Sequence, residues 1–396
     1  MLKAHFARFL AGDPERIHFA AHSHHYWPDV TRDAHLDAWE LAARHADGKW
    51  GPFFAGPWRE AHEHVARILR LGDGRTLAFA PNTHEFVVRI LSCLPSNRPA
   101  RILTTDGEFH SFSRQVSRLE EAGAVQVVRV ATEPFASFVE RFTTAARASE
   151  YDLVWTSQVF FDSGYVVDVD ALVRSISTTK AAIVIDGYHG FMAVDTDLSA
   201  IADRAFYLAG GYKYAMAGEG ACFLHAPAGA FPRPPNTGWF AAFFALESAS
   251  GGPVPYAADG SRFLGATFDP SAIFRFNAVQ RLLLKENVTV PDIHRHAHAM
   301  QRRFVEALGG RAPALDPKNL VVPVDEPRRG SFLTFRLPGP DGPAKRLHDR
   351  LAEAKVVTDV RGDRLRFGFG PYHDVGDIDR GAERIAAVLA RDSLRP

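Results

Sequence analysis

Cysteine is scarce in this sequence. Its 396 residues include two, Cys93 and Cys222, far apart and each inside an apolar stretch. That excludes a disulfide framework and a CxxC zinc pattern, and it fits a reducing cytoplasm. Excess charge of either sign is absent too: Lys+Arg and Asp+Glu both number 46. Nothing therefore marks the chain out for nucleic acid or for an anionic membrane surface. Long apolar runs are also missing. A membrane helix needs ~20 uninterrupted apolar residues, and no segment supplies them. The opening MLKAHFARFLAGDPERIHFAA is broken by Arg, Gly, Asp and Pro before a signal-peptide core is reached. Repeats and low-complexity tracts are not seen. These absences lead us to expect a soluble, cytoplasmic protein whose partner is a small molecule.

What is present is ordinary globular composition, 46% hydrophobic and 23% charged. The length exceeds one ordinary core, so a large domain and a smaller one are expected. Pro57–Leu71 reads as a helix, with Ala61, Val65, Ile68 and Leu69 on one face and Gly72 to stop it. Glu85–Leu94 reads as another, closed by Pro95. Short β-rich runs follow at Arg101–Thr105, Ala124–Val130, Asp152–Ser157, Ala181–Ile185, Ala205–Ala209 and Ala221–His225. Helical segments such as Pro134–Ala148 and Val169–Ser177 lie between most of them. Buried strands alternating with amphipathic helices specify an α/β fold with a mainly parallel sheet between helices. From about 226 to 271 no clear regular element is expected; a helix over Ser271–Lys285, a second αβ unit ending in Arg364–Phe369 and a last helix to about Leu389 follow. The expected division is 1–50 as an N-terminal arm and helix, 51–280 as the large domain and 281–396 as a small C-terminal α/β domain.

The chemistry gathers in AAIVIDGYHG (181–190) and AFYLAGGYKYAMAGEG (205–220). Asp186 ends a buried strand, at the edge where α/β sheets place ligands. A second strand ends in Gly210-Gly211, and Lys213 follows. Side by side, such strands bring Asp186 and Lys213 to one edge. Pyridoxal 5′-phosphate (PLP) chemistry needs that pair: an amine to form the imine, and a carboxylate to keep the pyridinium nitrogen protonated. Glycines beside the lysine let the backbone approach the cofactor. The competing reading is a surface lysine and an acid capping a turn.

These residues resemble the class V aminotransferase superfamily of fold-type I PLP enzymes, most closely its kynureninase branch. Asp186-Gly-Tyr-His189 is similar to the family's Asp-x-x-His, and Tyr212-Lys213-Tyr214 to its Tyr-Lys-Tyr. The resemblance implies Asp186 on the ring nitrogen, His189 near the cofactor oxygen and Tyr212 on the phosphate. Pro81-Asn82-Thr83-His84 stands before a helix, whose N-terminus suits a phosphate; the alternative is a plain Asn or Thr cap. Phe109, in Glu108-Phe109-His110, resembles the Phe that stacks on the pyridine ring. Trp239, in Asn236-Thr237-Gly238-Trp239, and Thr267, in Gly265-Ala266-Thr267, resemble segments that reach the neighbouring subunit's phosphate. That implies a homodimer with shared active sites; the alternative is a Trp packed in an aromatic loop. Leu365-Arg366-Phe367-Gly368-Phe369 resembles the carboxylate-binding segment, with Arg366 favoured over Arg364, which strand alternation puts on the same face.

Some segments depart from the family pattern. His22-Ser23-His24-His25-Tyr26-Trp27 is loaded with imidazoles and aromatics. One reading is a substrate pocket built from His22, His24, His25 and Trp27; the other is a zinc site, for which carboxylate or Cys companions are missing. No metal is therefore expected. Asp269 stands where the family reads the substrate's aromatic amine, and Phe112 replaces an Asp. His294, His296 and His298 are expected to face solvent from a helix. The leading expectation is kynureninase-like hydrolytic C–C cleavage of kynurenine or a related aromatic amino acid. A class V aminotransferase or another PLP-dependent lyase is the alternative. Desulfurase chemistry is disfavoured, because Cys93 falls in a helix and Cys222 in a strand rather than on a mobile loop.

Overall fold

Runs of Val, Ile, Leu and aromatic residues without polar alternation need burial on both faces, and the chain gives it to them. The computed structural model describes residues 1–245, 252–340 and 342–390. A short strand β1 (Ile17–His18) precedes seven that form the central sheet: β2 (Leu77–Ala80), β3 (Ala100–Thr105), β4 (Val125–Val130), β5 (Leu153–Ser157), β6 (Ala182–Asp186), β7 (Ala205–Ala209) and β8 (Cys222–His225). Their spatial order is β2-β8-β7-β6-β5-β3-β4. Strands β3 to β7 pair in parallel, while β8 runs antiparallel to both β7 and β2. All but β8 therefore point the same way. The C-terminal ends of β2, β3, β5, β6 and β7, and the first residue of β8, meet at one edge.

Alternation along the strands feeds two apolar clusters, one per face. Ile183 and Ile185 join Leu103, Val154, Tyr207 and Phe138 in one; Val184 joins Ile102, Trp155, Phe206 and Leu208 in the other. Phe112, the residue in place of an acid, stacks on Trp155 at 4.1 Å between centroids and belongs to the second cluster. The helices Thr83–Ser92, His110–Glu121, Phe138–Ala148 and Val169–Ser175 follow strands in alternation.

The C-terminal part has its own sheet, β11 (Asp359–Arg361), β12 (Arg364–Gly368) and β9 (Phe332–Arg336) in antiparallel order, and a pair formed by β10 (Val356–Val357) with β1. A third cluster around Phe304, Phe335, Leu351, Phe367 and Ile385 fills it and takes in Ile17 and Phe19. The N-terminal arm is thus a strand of the C-terminal unit, while its helix Val30–His45 packs on the helix Ser271–Lys285.

Several expectations need correction. The helix expected from Pro57 begins as a π turn over Phe54–Trp58 and continues as Arg59–Leu69; Arg70, at φ 54°, caps it rather than Gly72. The helix expected at Glu85 starts at Thr83. Strand β2 had no counterpart in the sequence reading. His294, His296 and His298 do not simply face solvent: their rings lie within 2.8, 3.1 and 2.8 Å of the carbonyls of Ala193, His373 and Arg329. Among the described residues between 226 and 271, only 3-10 turns occur, at Trp239–Ala245 and Gly260–Phe263.

Candidate active site

The edge defined above is where chemistry-bearing residues gather. Asp186 closes β6, in register with Ser157 of β5 and Leu208 of β7. Lys213 follows β7 through Gly210 and Gly211. A Cβ at Gly210 would stand 2.4 Å from Cys222 Sγ and 2.5 Å from the Tyr188 hydroxyl, so only glycine lets the chain turn there.

The Lys213 side chain is buried, its residue 4% exposed, with Nζ 2.6 Å from His189 Nε2. The amine lies 4.7 Å from the Tyr188 ring centre and 5.2 Å from that of Phe109. Burial pushes its pKa down to about 7, and the nearby Asp186 carboxylate opposes that shift. A neutral amine is a nucleophile, so burial prepares Lys213 for imine formation near neutral pH. Burial likewise raises the Asp186 carboxyl, held back by a 2.9 Å bond from the Tyr188 N–H and by Lys213. It also pushes His189 well below the usual imidazole range, so that ring is neutral.

These groups border a cavity of about 210 Å³. Asp186, His189 and Lys213 line it; so do Phe109 and Tyr212, and at the far side Asn82, Thr83 and His84. Asn82 Oδ1 accepts the Glu85 N–H at 3.1 Å and caps the helix Thr83–Ser92. The capping role is therefore present, and the helix N-terminus still faces the cavity.

Other expected site residues lie elsewhere. Arg366 does not line this cavity: buried in the C-terminal unit, it pairs with Asp359 at 2.7 Å, donates to the Phe161 carbonyl, and has its guanidinium 5.8 Å from the ring centres of Phe161 and Phe332. It is close enough to lower the pKa of both Lys213 and His189. Arg364 is ion-paired as well, with Asp162 at 2.6 Å and Glu133 at 2.9 Å. His22 is fully buried, stacks on Phe332 at 4.5 Å and borders neither this cavity nor the next. His24, His25 and Trp27 line a neighbouring cavity; His25 is buried there, its Nδ1 2.6 Å from the Tyr26 carbonyl oxygen. Among the described residues no metal-ligating cluster occurs. Asp269 lines neither of these two cavities: its carboxylate accepts from Ser271 N–H at 2.8 Å and Ser271 Oγ at 2.9 Å, at the head of a helix. Trp239 and Thr267 line none of the walls of the 210 Å³ cavity.

The structure adds residues that sequence reasoning passed over. Glu108 is buried, accepting from Thr105 Oγ1 at 2.7 Å, Ser157 N–H at 3.0 Å and Ser157 Oγ at 2.7 Å. Burial, reinforced by the Asp186 charge and opposed by those bonds, pushes its pKa up to about 7. Tyr188 and Cys222 also line the cavity, with the thiol pushed up to about 11 by burial. The available signal was position: Glu108 and Tyr188 both follow strand ends, beside residues already singled out.

Residues 293–385 match the family model for the kynureninase C-terminal domain. No curated protein sequence matches the chain. Among solved structures, a C-DES mutant with glycine covalently linked to its PLP cofactor superposes with a TM-score of 0.82 at 16% identity, covering 97% of this chain and 98% of that one. The fold is that of the class V, fold-type I PLP enzymes. The cystine C–S lyase C-DES in complex with cysteine persulfide gives 0.79 at 17% identity, covering 95% and 99%. The cysteine desulfurase CsdA from Escherichia coli gives 0.78 at 15%, covering 98% of each chain.

Proposed function

We propose that this chain is a PLP-dependent enzyme acting on an α-amino acid, with Lys213 as the lysine that binds the cofactor. The observation that carries the reading is the buried Lys213 amine. It has a pKa of about 7, lies 2.6 Å from a neutral His189 and shares a cavity with Asp186. The residues present fit the group: a nucleophilic amine, a carboxylate for the ring nitrogen, aromatic faces for the ring and a helix N-terminus for the phosphate. His189 Nδ1, buried without a partner among the described residues, is a further polar atom for a ligand to satisfy.

PLP, when bound, supplies a ring that accepts the electrons released at the substrate's Cα. The chain's residues do the rest. Asp186 holds a proton at the ring nitrogen. Phe109 would cover a ring face, and Thr83, His84 and Tyr212 would hold the phosphate. Lys213 Nζ would take the substrate's Cα proton, and the neutral His189 Nε2 would keep that amine in place. Arg366, paired with Asp359 outside the cavity lining but with its charge acting on Lys213 and His189, is the group assigned to the α-carboxylate.

For the reaction itself, kynureninase-like hydrolysis of the bond between Cβ and a γ-carbonyl is the first reading, supported by the match over 293–385. A C–S lyase is the second, favoured by the fold relatives. Cys222 does not support a desulfurase nucleophile, because it is fixed as the first residue of β8 and its thiol is held protonated. An aminotransferase shares the same residues up to Cα proton removal. The active form is proposed to be a cytoplasmic homodimer, with Trp239 and Thr267 serving the partner's phosphate.

Purified protein given PLP is expected to develop a visible absorption band that Lys213→Ala abolishes. A protein that PLP leaves colourless refutes the reading. With L-kynurenine, release of fluorescent 2-aminobenzoate selects hydrolysis. Release of cysteine persulfide from cystine selects the lyase, and amino transfer to a 2-oxo acid selects the aminotransferase.

A further inference from the structure

The central sheet has one weak seam. Strand β4 pairs along all of β3, and β6 along all of β5, but β3 and β5 pair with each other only at Ile102–Leu153 and Leu103–Val154. The seam lies where the chain order reverses. From β3 the chain runs through the helix His110–Glu121 to β4 on one side; from β5 it runs through Val169–Ser175 to β6 on the other. In open α/β sheets the crevice at such a reversal is where a ligand lies. A ladder that stops inside a protein also leaves N–H groups that need an acceptor.

Glu108 supplies one. Its buried carboxylate spans the seam: Oε1 accepts from Thr105 Oγ1 at 2.7 Å on the β3 side and from the Ser157 N–H at 3.0 Å on the β5 side. Oε2 accepts from Ser157 Oγ at 2.7 Å. The same turn is fixed toward β4 as well. Asp106 Oδ1 accepts the Thr132 N–H at 2.8 Å, and a Cβ at Gly107 would stand 2.8 Å from Thr132 Cγ2. Glu108 does not line the 210 Å³ cavity, but two residues tied to it do. Phe109 follows it directly, with its ring centre 5.2 Å from Lys213 Nζ. Ser157 stands in register with Asp186.

We infer that Glu108 is a positioning residue: by stitching the splayed ends of β3 and β5 it fixes the slot bounded by Phe109, Ser157 and Asp186, where the cofactor ring would lie. The inference rests on the proposed PLP chemistry and adds a residue that touches neither cofactor nor substrate. What the stitch needs is reach. Aspartate keeps the carboxylate but is one methylene too short to bond both strands. Glutamine keeps the reach: its oxygen can take the Ser157 N–H, and its amide can donate to a hydroxyl.

The test is titration of PLP into apo-protein at about pH 7, with the visible band followed by absorbance and by circular dichroism. PLP is achiral, so its band is dichroic only when the site holds the ring in one orientation. Glu108→Gln is expected to keep the wild-type dichroism and an affinity within about twofold. Glu108→Asp is expected to lose about half of the dichroism per bound PLP and to bind PLP about fivefold more weakly, the effect of unmade buried hydrogen bonds. Ser157→Ala removes one of the three bonds and is expected to lose a smaller share in the same direction. Wild-type dichroism and affinity in Glu108→Asp would overturn the inference. So would a Glu108→Gln no better than Glu108→Asp, because charge rather than reach would then be what matters. If Glu108→Asp does not fold, Ser157→Ala decides, and unchanged dichroism there overturns the stitch. A wild type that PLP leaves colourless refutes the PLP reading and this inference with it; a coloured wild type with indifferent variants refutes this inference alone.

Discussion

The pKa of Lys213 sets when the amine can react. Burial lowers it to about 7, so the amine is protonated and inert below that pH and free above it. The rate of PLP loading into apo-protein is expected to rise through about pH 7 and level off by about pH 8. Stopped-flow absorbance reads this directly; a rate that climbs only near pH 10 would refute the depressed value. Glu108 shifts the other way. Its folded pKa is about 7 against an ordinary 4.5, so the folded state keeps a proton that the unfolded chain loses. The resulting penalty is absent below the unfolded value, grows as pH rises and is complete above the folded one. Glu108→Gln, neutral throughout and still an acceptor for Ser157, is therefore expected to stabilise the protein at about pH 8 by up to about 3 kcal/mol. Near pH 4.5 it should change little. Equal denaturation midpoints at about pH 8 would sink the claim. The placement of Lys213, Asp186 and His189 at one sheet edge was legible in the sequence because each closes or closely follows a strand. Glu108 was not, because its role depends on Ser157, which only the pairing of β3 with β5 brings near. Asp269 misled for the opposite reason: its partner is two residues away, and a local cap looks the same in sequence as a ligand contact.

At the scale of elements, runs of β-branched or aromatic residues such as AIVID and AFYLA announced their strands to within a residue or so. Strand β2, LAFA, was missed because four residues with one aromatic and no β-branched side chain carry too little β signal. The reversal of β8 was equally hidden, since direction is decided by pairing with β7 and β2 and not by composition. The helix Thr83–Ser92 allows the two readings of its N-terminus to be separated. Asn82→Ala removes the bond to the Glu85 N–H and is expected to cost about 1 kcal/mol in chemical denaturation. Asn82→Asp keeps the cap but adds a negative charge beside the proposed phosphate. It is expected to retain stability while weakening PLP binding at least tenfold. Unchanged PLP affinity in Asn82→Asp would leave Asn82 with the cap alone.

At the scale of the whole molecule, the segment assigned to the proposed dimer exposes aromatic surface. Trp239 and Phe243 are 42% and 43% exposed, in the turn that follows the Pro-rich segment. Neither Trp239 nor Thr267 borders the cavity of its own chain. The proposed dimer accounts for both, because a two-fold arrangement would present the same patch twice and let each chain complete the other's site. Subunit complementation follows from that geometry. Lys213→Ala abolishes the site built on its own chain, and Trp239→Ala the site it serves on the partner. A mixed dimer of the two carries one site spoiled twice and one left intact. Neither variant alone should show activity, but equal amounts unfolded, mixed and refolded should regain about a quarter of the wild-type rate, since about half of the dimers are mixed and each has one working site of two. A mixture as inactive as its components would refute the shared site. Full activity in Trp239→Ala alone would return Trp239 to packing in an aromatic loop.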